Sequence, residues 1–396
     1  MLNGRGCAVK RVLMVLLVFC LVMPIGARAE LSAQPMVDEV PVELGGVSAI
    51  LAEVSSGQII FAENADEMRP VASVTKAMTI LLAIEAVENE RAALEDVVTI
   101  SPAASGMGGS QILLDTGEQQ TYSQLLKSII VGSANDSSVA IAEYLYGSEE
   151  LFVNYMNERA KELGLTNTVF INCTGLPAEG QYTTARDIAR VSMELYRQPL
   201  YYDYSTVWLE DFDHNDGRMT QLTNTNKLIR LYDGCDGGKT GSTNEAGYCM
   251  TATAQRGGMR LVSVVLGANT STDRFDTVAR MFDYGFANYR LYPVAEKGTP
   301  IKGELAVTGG DRKAVRLVLD GDLTLLILKG GEQNVELTPN IPESLSAPLE
   351  AGEQVGTVDV NLGGRLVGSL PVVTAEAVTA TGLRYVFDRI LDLWPL

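Results

Sequence analysis

Histidine is almost missing from this chain: there is one, His214, in the stretch "EDFDHNDGR". Catalysis by a Ser-His-Asp set would have to use it, and no G-x-S-x-G elbow lies elsewhere to help. Set among acidic residues and glycine, it reads as a solvated loop residue. Cysteine is scarce too: of five, Cys7 and Cys20 fall in a leader, and Cys173, Cys235 and Cys249 remain. None has CxxC spacing and three make no disulfide framework, which argues against zinc or redox chemistry; no metal or cofactor is expected. Cys235 and Cys249 could meet across a hairpin, but the reading favours unpaired thiols. Basic residues are also few, 31 Lys and Arg against 49 Asp and Glu. A surface of that sign repels phosphates, so nucleic acid is not an expected partner.

Long apolar runs are missing as well. Val12 to Ile25 is short for a membrane span. With Arg5, Lys10 and Arg11 before it and Ala27-Arg28-Ala29 after it, it reads as an export signal over residues 1–29. Its removal takes four basic residues (Arg5, Lys10, Arg11, Arg28) and no acidic one, so the formal charge moves from −18 to −22. The protein is expected outside the cytoplasmic membrane, at its outer face or the cell wall.

What is present is ordered. "VSAILAEVSSGQIIFAEN" alternates around a Ser-Ser-Gly turn and predicts a hairpin. Ser73 to Glu88 predicts an apolar helix, and "TYSQLLKSIIVG", "DSSVAIAEYLYG" and "LFVNYMNERAKELG" predict three more, each closing on glycine. Strands follow from "GGKTGSTNEAGYCMTATAQRGGMRLVSVVLGA", then a helix over "DRFDTVARMFDYGFANYRL" that packs back on them. Strands at both ends with helices between imply an α+β domain over 30–291. From 298 to 378 short β-rich runs broken by Asp-Gly and Gly-Gly predict a small all-β sandwich. In residues 380–396, Leu383, Val386, Phe387, Ile390, Leu391 and Trp394 fall on one helical face. Such a helix suits the surface of a membrane, or packing on its own domain.

Three short motifs occur in order: Ser73-x-x-Lys76, Ser133-Ala134-Asn135 and Lys239-Thr240-Gly241. Each is weak alone; the ordered set is specific. Ser73 and Lys76 are three apart and share a helical face. Burial among Val74, Ala77, Met78 and Ile80 disfavours the ammonium, so the lysine can take the serine proton. Ser133 and Asn135 lie between two helices, positioned to pass a proton to a leaving amine and to hold Lys76 and a substrate amide. They could instead be helix caps, though Asp136 or Ser137 could serve there. Lys239 and Thr240 can bind an anionic substrate terminus, unless Lys239 is merely a hairpin-edge lysine. Gly241 lets a substrate backbone approach the strand, and Ser242 offers its N–H as an oxyanion donor.

This set resembles the SxxK, SxN and KTG motifs of penicillin-binding proteins and serine β-lactamases. More specifically, the chain resembles the low-molecular-mass D-alanyl-D-alanine carboxypeptidases, peptidase family S11. "MNERAKELGLTNTVFINCTGLPAEGQYTTARDIA", "LTNTNKLI" and "RLVSVVLGA" carry that likeness beyond the triplet. The resemblance implies a transpeptidase-like catalytic domain followed by the β-sandwich and a membrane-anchoring tail. It implies Ser73 as acylated nucleophile, Lys76 as base, Ser133 and Asn135 as relay and positioning pair, and Lys239, Thr240 and Arg274 as carboxylate binders. The implied substrate is a peptidoglycan stem peptide ending in D-Ala-D-Ala, with β-lactams as inhibitors. "NCTGLP" and Ser242 depart from the usual pattern. A class A β-lactamase shares the triplet but needs a deacylating glutamate, and Glu162 in "NERAKELG" reads as a solvated helix residue. A non-catalytic wall-binding or β-lactam-sensing protein is the third reading; the intact triplet argues against it.

Overall fold

The computed structural model describes residues 31–382 except 33 and 46. The export signal and the amphipathic tail from Leu383 onward lie outside the described residues.

The chain opens with a hairpin, β1 (Ser48–Glu53) and β2 (Ile59–Glu63), then a 3-10 turn (Ala72–Thr75) leading into α1 (Lys76–Glu88). Next come β3 (Val97–Thr99), α2 (Pro102–Ser105), β4 (Gln119–Thr121), α3 (Tyr122–Gly132), α4 (Asn135–Tyr146) and α5 (Glu149–Glu162). They are followed by α6 (Ala185–Tyr196), α7 (Pro199–Ser205), the hairpin β5 (Leu209–Asp213) and β6 (Met219–Thr223), and α8 (Leu228–Leu231). Then β7 (Cys235–Thr243), β8 (Gly247–Arg256) and β9 (Met259–Ala268) run back and forth before α9 (Ser271–Asn288). Five of these strands form an antiparallel sheet in the order β2-β1-β9-β8-β7, which leaves β7 at one edge.

Both faces of that sheet are covered, so its central strands β1, β8 and β9 are buried along most of their length. Ile50 and Ala52 face the core built with α1, α3, α4, α5 and α6, while Ala49 and Leu51 face Val278, Met281 and Phe282 of α9. α1 is buried on almost every side from Lys76 to Ile84, as expected for a helix apolar all round. Cys235 and Cys249 are free and buried. The ladder explains why: Cys249 pairs with Gly241, whereas Cys235 pairs with Ala254, several rungs away.

The C-terminal part, from Tyr289 onward, is built of strands. It comprises β10 (Tyr289–Ala295), β11 (Pro300–Thr308), β12 (Ala314–Leu319), β13 (Leu323–Leu328), β14 (Val335–Asn340), β15 (Ser344–Ser346), β16 (Gln354–Leu362) and β17 (Arg365–Thr374). The pair β10-β13 and the sheet β14-β16-β17-β12-β11-β15 share one core, with Leu317, Ile327, Val360 and Val372 at its centre. Gln58, in the β1–β2 turn, accepts the Leu326 N–H at 2.7 Å and so ties this part to the first.

His214 is not the solvated residue its surroundings suggested. It is 2% exposed, with Nδ1 2.9 Å from Glu118 Oε1, Nε2 2.8 Å from Thr220 Oγ1, and its ring edge-on to Phe212. Thr220 in turn donates to the Ile112 carbonyl, so the imidazole sits in the seam where the β5–β6 hairpin docks on residues 112–120. Burial pushes the Glu118 carboxyl up, but bonds from the Asp115 N–H, Gln120 and His214 hold it below its ordinary range. His214→Ala would remove one hydrogen bond from Glu118 and one from Thr220, each of which keeps its other partners, and would open a gap beside Phe212. A loss of about 1–3 kcal/mol is expected in denaturant unfolding, with the contacts between Ser73 and Lys76 unaffected.

Candidate active site

Ser73 lies inside the 3-10 turn, and the α-helix begins only at Lys76, three residues later than the apolar pattern suggested. Ala72 supplies the bend with φ of 49°. In a 3-10 turn residues i and i+3 eclipse, which aligns the two side chains more closely than an α-helix would. Lys76 Nζ stands 3.1 Å from Ser73 Oγ. Two glycines hold the turn from either side. A Cβ on Gly241 would come within 2.7 Å of Ser73 N and Val71 O, and one on Gly175 within 1.9 Å of Ala72 O. The close approach at Gly241 is therefore to the backbone of the serine's own turn, where the sequence had suggested a substrate backbone.

Lys76 is fully buried. Its nitrogen also meets Asn135 Oδ1 at 2.5 Å and the Thr174 carbonyl at 2.6 Å. Burial lowers its pKa to about 7, against the opposing influence of Cys173 and Asp136. A neutral amine has two N–H bonds and one lone pair. The two amide-type oxygens take the N–H bonds, which leaves the lone pair for the Ser73 hydroxyl.

Ser133 ends α3 in the left-handed conformation, φ 64°, a place that glycine was expected to fill. Its Oγ accepts from Lys239 Nζ at 2.8 Å. Asn135 is the first residue of α4; its Nδ2 donates to Gly108 O at 2.6 Å and its N–H to Ser110 O at 2.7 Å. Neither Asp136 nor Ser137 caps the helix. Ala134 stands at the cap, and the Asp136 carboxylate accepts N–H bonds from Ile112, Leu114 and Ser137. That carboxylate clips the 108–114 loop to the residues holding Lys76, and nothing among its neighbours in the chain signals that role.

Lys239 is likewise buried, and burial, then the charges of Lys76 and Arg274, pushes its pKa well down. An incoming carboxylate would supply the missing counter-charge. On the outer edge of β7, Gly238 gives its N–H to the Tyr201 hydroxyl at 2.8 Å and accepts from it at 3.3 Å. By the two-residue period of the ladder, Thr240 and Ser242 turn their backbone groups to that same free edge. Ser242 is exposed there. Arg274 is 7% exposed and donates to the Gly241 and Cys249 carbonyls at 3.1 and 3.3 Å, so it braces the strand from behind. Glu162 is exposed at the end of α5, bonded to Arg159.

Sequence reasoning missed Tyr201, Asn226 and Asn172. Asn226 donates to Gly237 O at 3.1 Å, and Asn172 Oδ1 accepts from Gly175 N at 2.7 Å. Asn172 had a signal, because an asparagine side chain commonly closes a turn on the backbone N–H two residues on, here that of Thr174 at 3.2 Å. Tyr201 had none.

A fold and site of this kind define a penicillin-binding protein architecture. The family model for D-alanyl-D-alanine carboxypeptidase, peptidase S11, matches residues 34–270, and that for the penicillin-binding protein 5 C-terminal domain matches 289–380. The chain belongs to the D-alanyl-D-alanine carboxypeptidase family and is a peptidase of that specificity. It is 37% identical to the D-alanyl-D-alanine carboxypeptidase DacF of Bacillus subtilis, over 88% of this chain and 89% of the relative. To DacC of Escherichia coli it is 35% identical, over 87% and 86%. Among solved structures, penicillin-binding protein 5 of Haemophilus influenzae superposes with a TM-score of 0.77 at 31% identity, covering 86% of this chain and 99% of that one. The ampicillin-bound form of penicillin-binding protein D2 from Listeria monocytogenes matches 62% of this chain and 100% of its own, at 29% identity and TM-score 0.56.

Proposed function

We propose that this carboxypeptidase works through a Ser73 acyl-enzyme on peptidoglycan stem peptides outside the cytoplasmic membrane. The observation that carries the proposal is the buried Lys76 nitrogen 3.1 Å from Ser73 Oγ, with its other two neighbours both acceptors. Ser73 Oγ attacks the carbonyl carbon of the penultimate D-alanine and its proton passes to Lys76 Nζ. The backbone N–H groups of Ser73 and Ser242 face the oxygen that gains charge. The C–N bond then breaks, and the departing amine takes a proton by way of Ser133. Water hydrolyses the ester and regenerates Ser73. Lys239 and Thr240 hold the substrate's carboxylate, with the Arg274 charge adding to the field behind them. Asn135 orients Lys76 and keeps one N–H for the substrate's amide.

A β-lactam would acylate the same hydroxyl and leave slowly. The test is to treat the protein with labelled penicillin, digest it and locate the adduct by mass. The label is expected on the peptide containing Ser73, and D-alanine release from a diacetylated Lys-D-Ala-D-Ala tripeptide should fall in step with labelling. An adduct on any other side chain would sink the mechanism.

A further inference from the structure

The short helix α7 lies along the outer edge of β7 and occupies part of it. The Tyr201 hydroxyl accepts the Gly238 N–H at 2.8 Å and donates to the Gly238 carbonyl at 3.3 Å, and Ser205 Oγ donates to the Asp236 carbonyl at 2.6 Å. The spacing fits: four residues of helix and two of extended strand both advance about 6 Å, so residues 201 and 205 meet 238 and 236 in turn. Both side chains are buried, and the Tyr201 ring presses so close that a Cβ on Gly237 would come within 2.6 Å of it. Among the described residues no α7 side chain bonds β7 beyond Gly238, and Ser242 stands exposed farther along. The edge is closed as far as Gly238 and free of the helix from Thr240 onward.

We propose that Tyr201 is a specificity-determining residue that confines the enzyme to peptides ending at the residue it releases. The proposal rests on the acyl-enzyme reading above, which sets how a peptide lies on the strand. Gly241 packs against Ser73, so the scissile carbonyl is level with Gly241 and Ser242, and the departing residue's carboxylate with Lys239 and Thr240. Anything joined to that carboxylate would continue at about 3.3 Å per residue along the edge toward Gly238. There its backbone meets the Tyr201 ring, and the N–H and C=O it would pair with already have the hydroxyl as partner. An amide pushed into that place is stripped of water without gaining a bond. Charge recognition by Lys239 is a separate sieve: it favours a carboxylate but does not by itself exclude a longer chain.

The test uses diacetyl-Lys-D-Ala-D-Ala with a free carboxylate, the same peptide with a terminal carboxamide, and the same peptide extended by glycinamide. Acid against carboxamide reads the charge; carboxamide against glycinamide, both uncharged, reads the room beyond the released residue. In each the bond between the two D-alanines is hydrolysed, and kcat/KM is taken from the amine released. Wild type should cut the glycinamide peptide at least about tenfold more slowly than the carboxamide, the effect of one buried hydrogen bond left unmade. Tyr201→Leu keeps an apolar side chain in the core but does not reach the strand edge, and should bring the two uncharged peptides within about threefold of each other. Acylation by labelled penicillin shows whether the variant's site is intact. Equal rates on the two uncharged peptides in wild type overturn the proposal whether or not the variant folds, and so does an unchanged ratio in a variant that takes the label. D-alanine release that survives in Ser73→Ala would overturn the acyl-enzyme reading instead.

Discussion

Lys76→Met is expected to slow acylation by penicillin at least about a thousandfold, the upper part of what a positioned general base contributes. Lys76→Arg should be nearly as damaging. It keeps a positive charge beside Ser73, but a guanidinium does not release its proton in a protein and so offers no lone pair to the hydroxyl. The pair of variants thus separates a base from a mere counter-charge. The pH dependence gives a second readout of the same group. With the pKa lowered to about 7 by burial, the neutral amine is the minor form in acid and the major form above neutrality. Acylation of the wild type should climb about tenfold per pH unit on the acid side and level off above pH of about 7. Rapid-mixing measurements with a fluorescent penicillin follow both effects. An Arg variant that acylates like wild type, or a rate flat across neutrality, would show that the proton goes elsewhere.

Much of this site could be read from the chain because its parts are local. A serine and a lysine three residues apart are neighbours in any helix, and an apolar surround is enough to argue for a lowered pKa. The same holds for the first hairpin and for α9, where periodicity within a dozen residues decides the structure. Partners distant in sequence were not legible. His214 looked solvated because its immediate neighbours are polar, yet Glu118, 96 residues away, and the Phe212 ring enclose it. Asp136 looked like a cap because its type suits one, whereas its carboxylate meets N–H groups more than twenty residues back along the chain. The cysteine question turned on strand register, which neither residue encodes by itself.

The glycine clamp is a tertiary feature of this kind, and it leads to the other large expected effect. Gly241→Ala places a methyl 2.7 Å from Ser73 N and 2.8 Å from Val74 N, so either the strand or the serine's turn must retreat. A displacement approaching 1 Å between Ser73 and the Lys239 strand should lower the acylation rate about a hundredfold, since near-attack geometry is lost at that scale. Gly175→Ala is worse in a different way. Its φ of 78° already disfavours a side chain, and the added carbon would fall 1.9 Å from a backbone oxygen, so global stability should drop by about 3–5 kcal/mol. Gly257→Ala supplies the comparison. There φ is 54° with open space around the position, and only the backbone penalty of about 1 kcal/mol is expected. Measuring acylation and denaturant unfolding on all three variants separates the two effects. Gly241→Ala should lose far more in rate than in stability, because its neighbours are the N–H groups of Ser73, the proposed nucleophile, and of Val74. If Gly241→Ala acylates as fast as Gly257→Ala, the turn is not held by that contact and its geometry must be set by α1 alone.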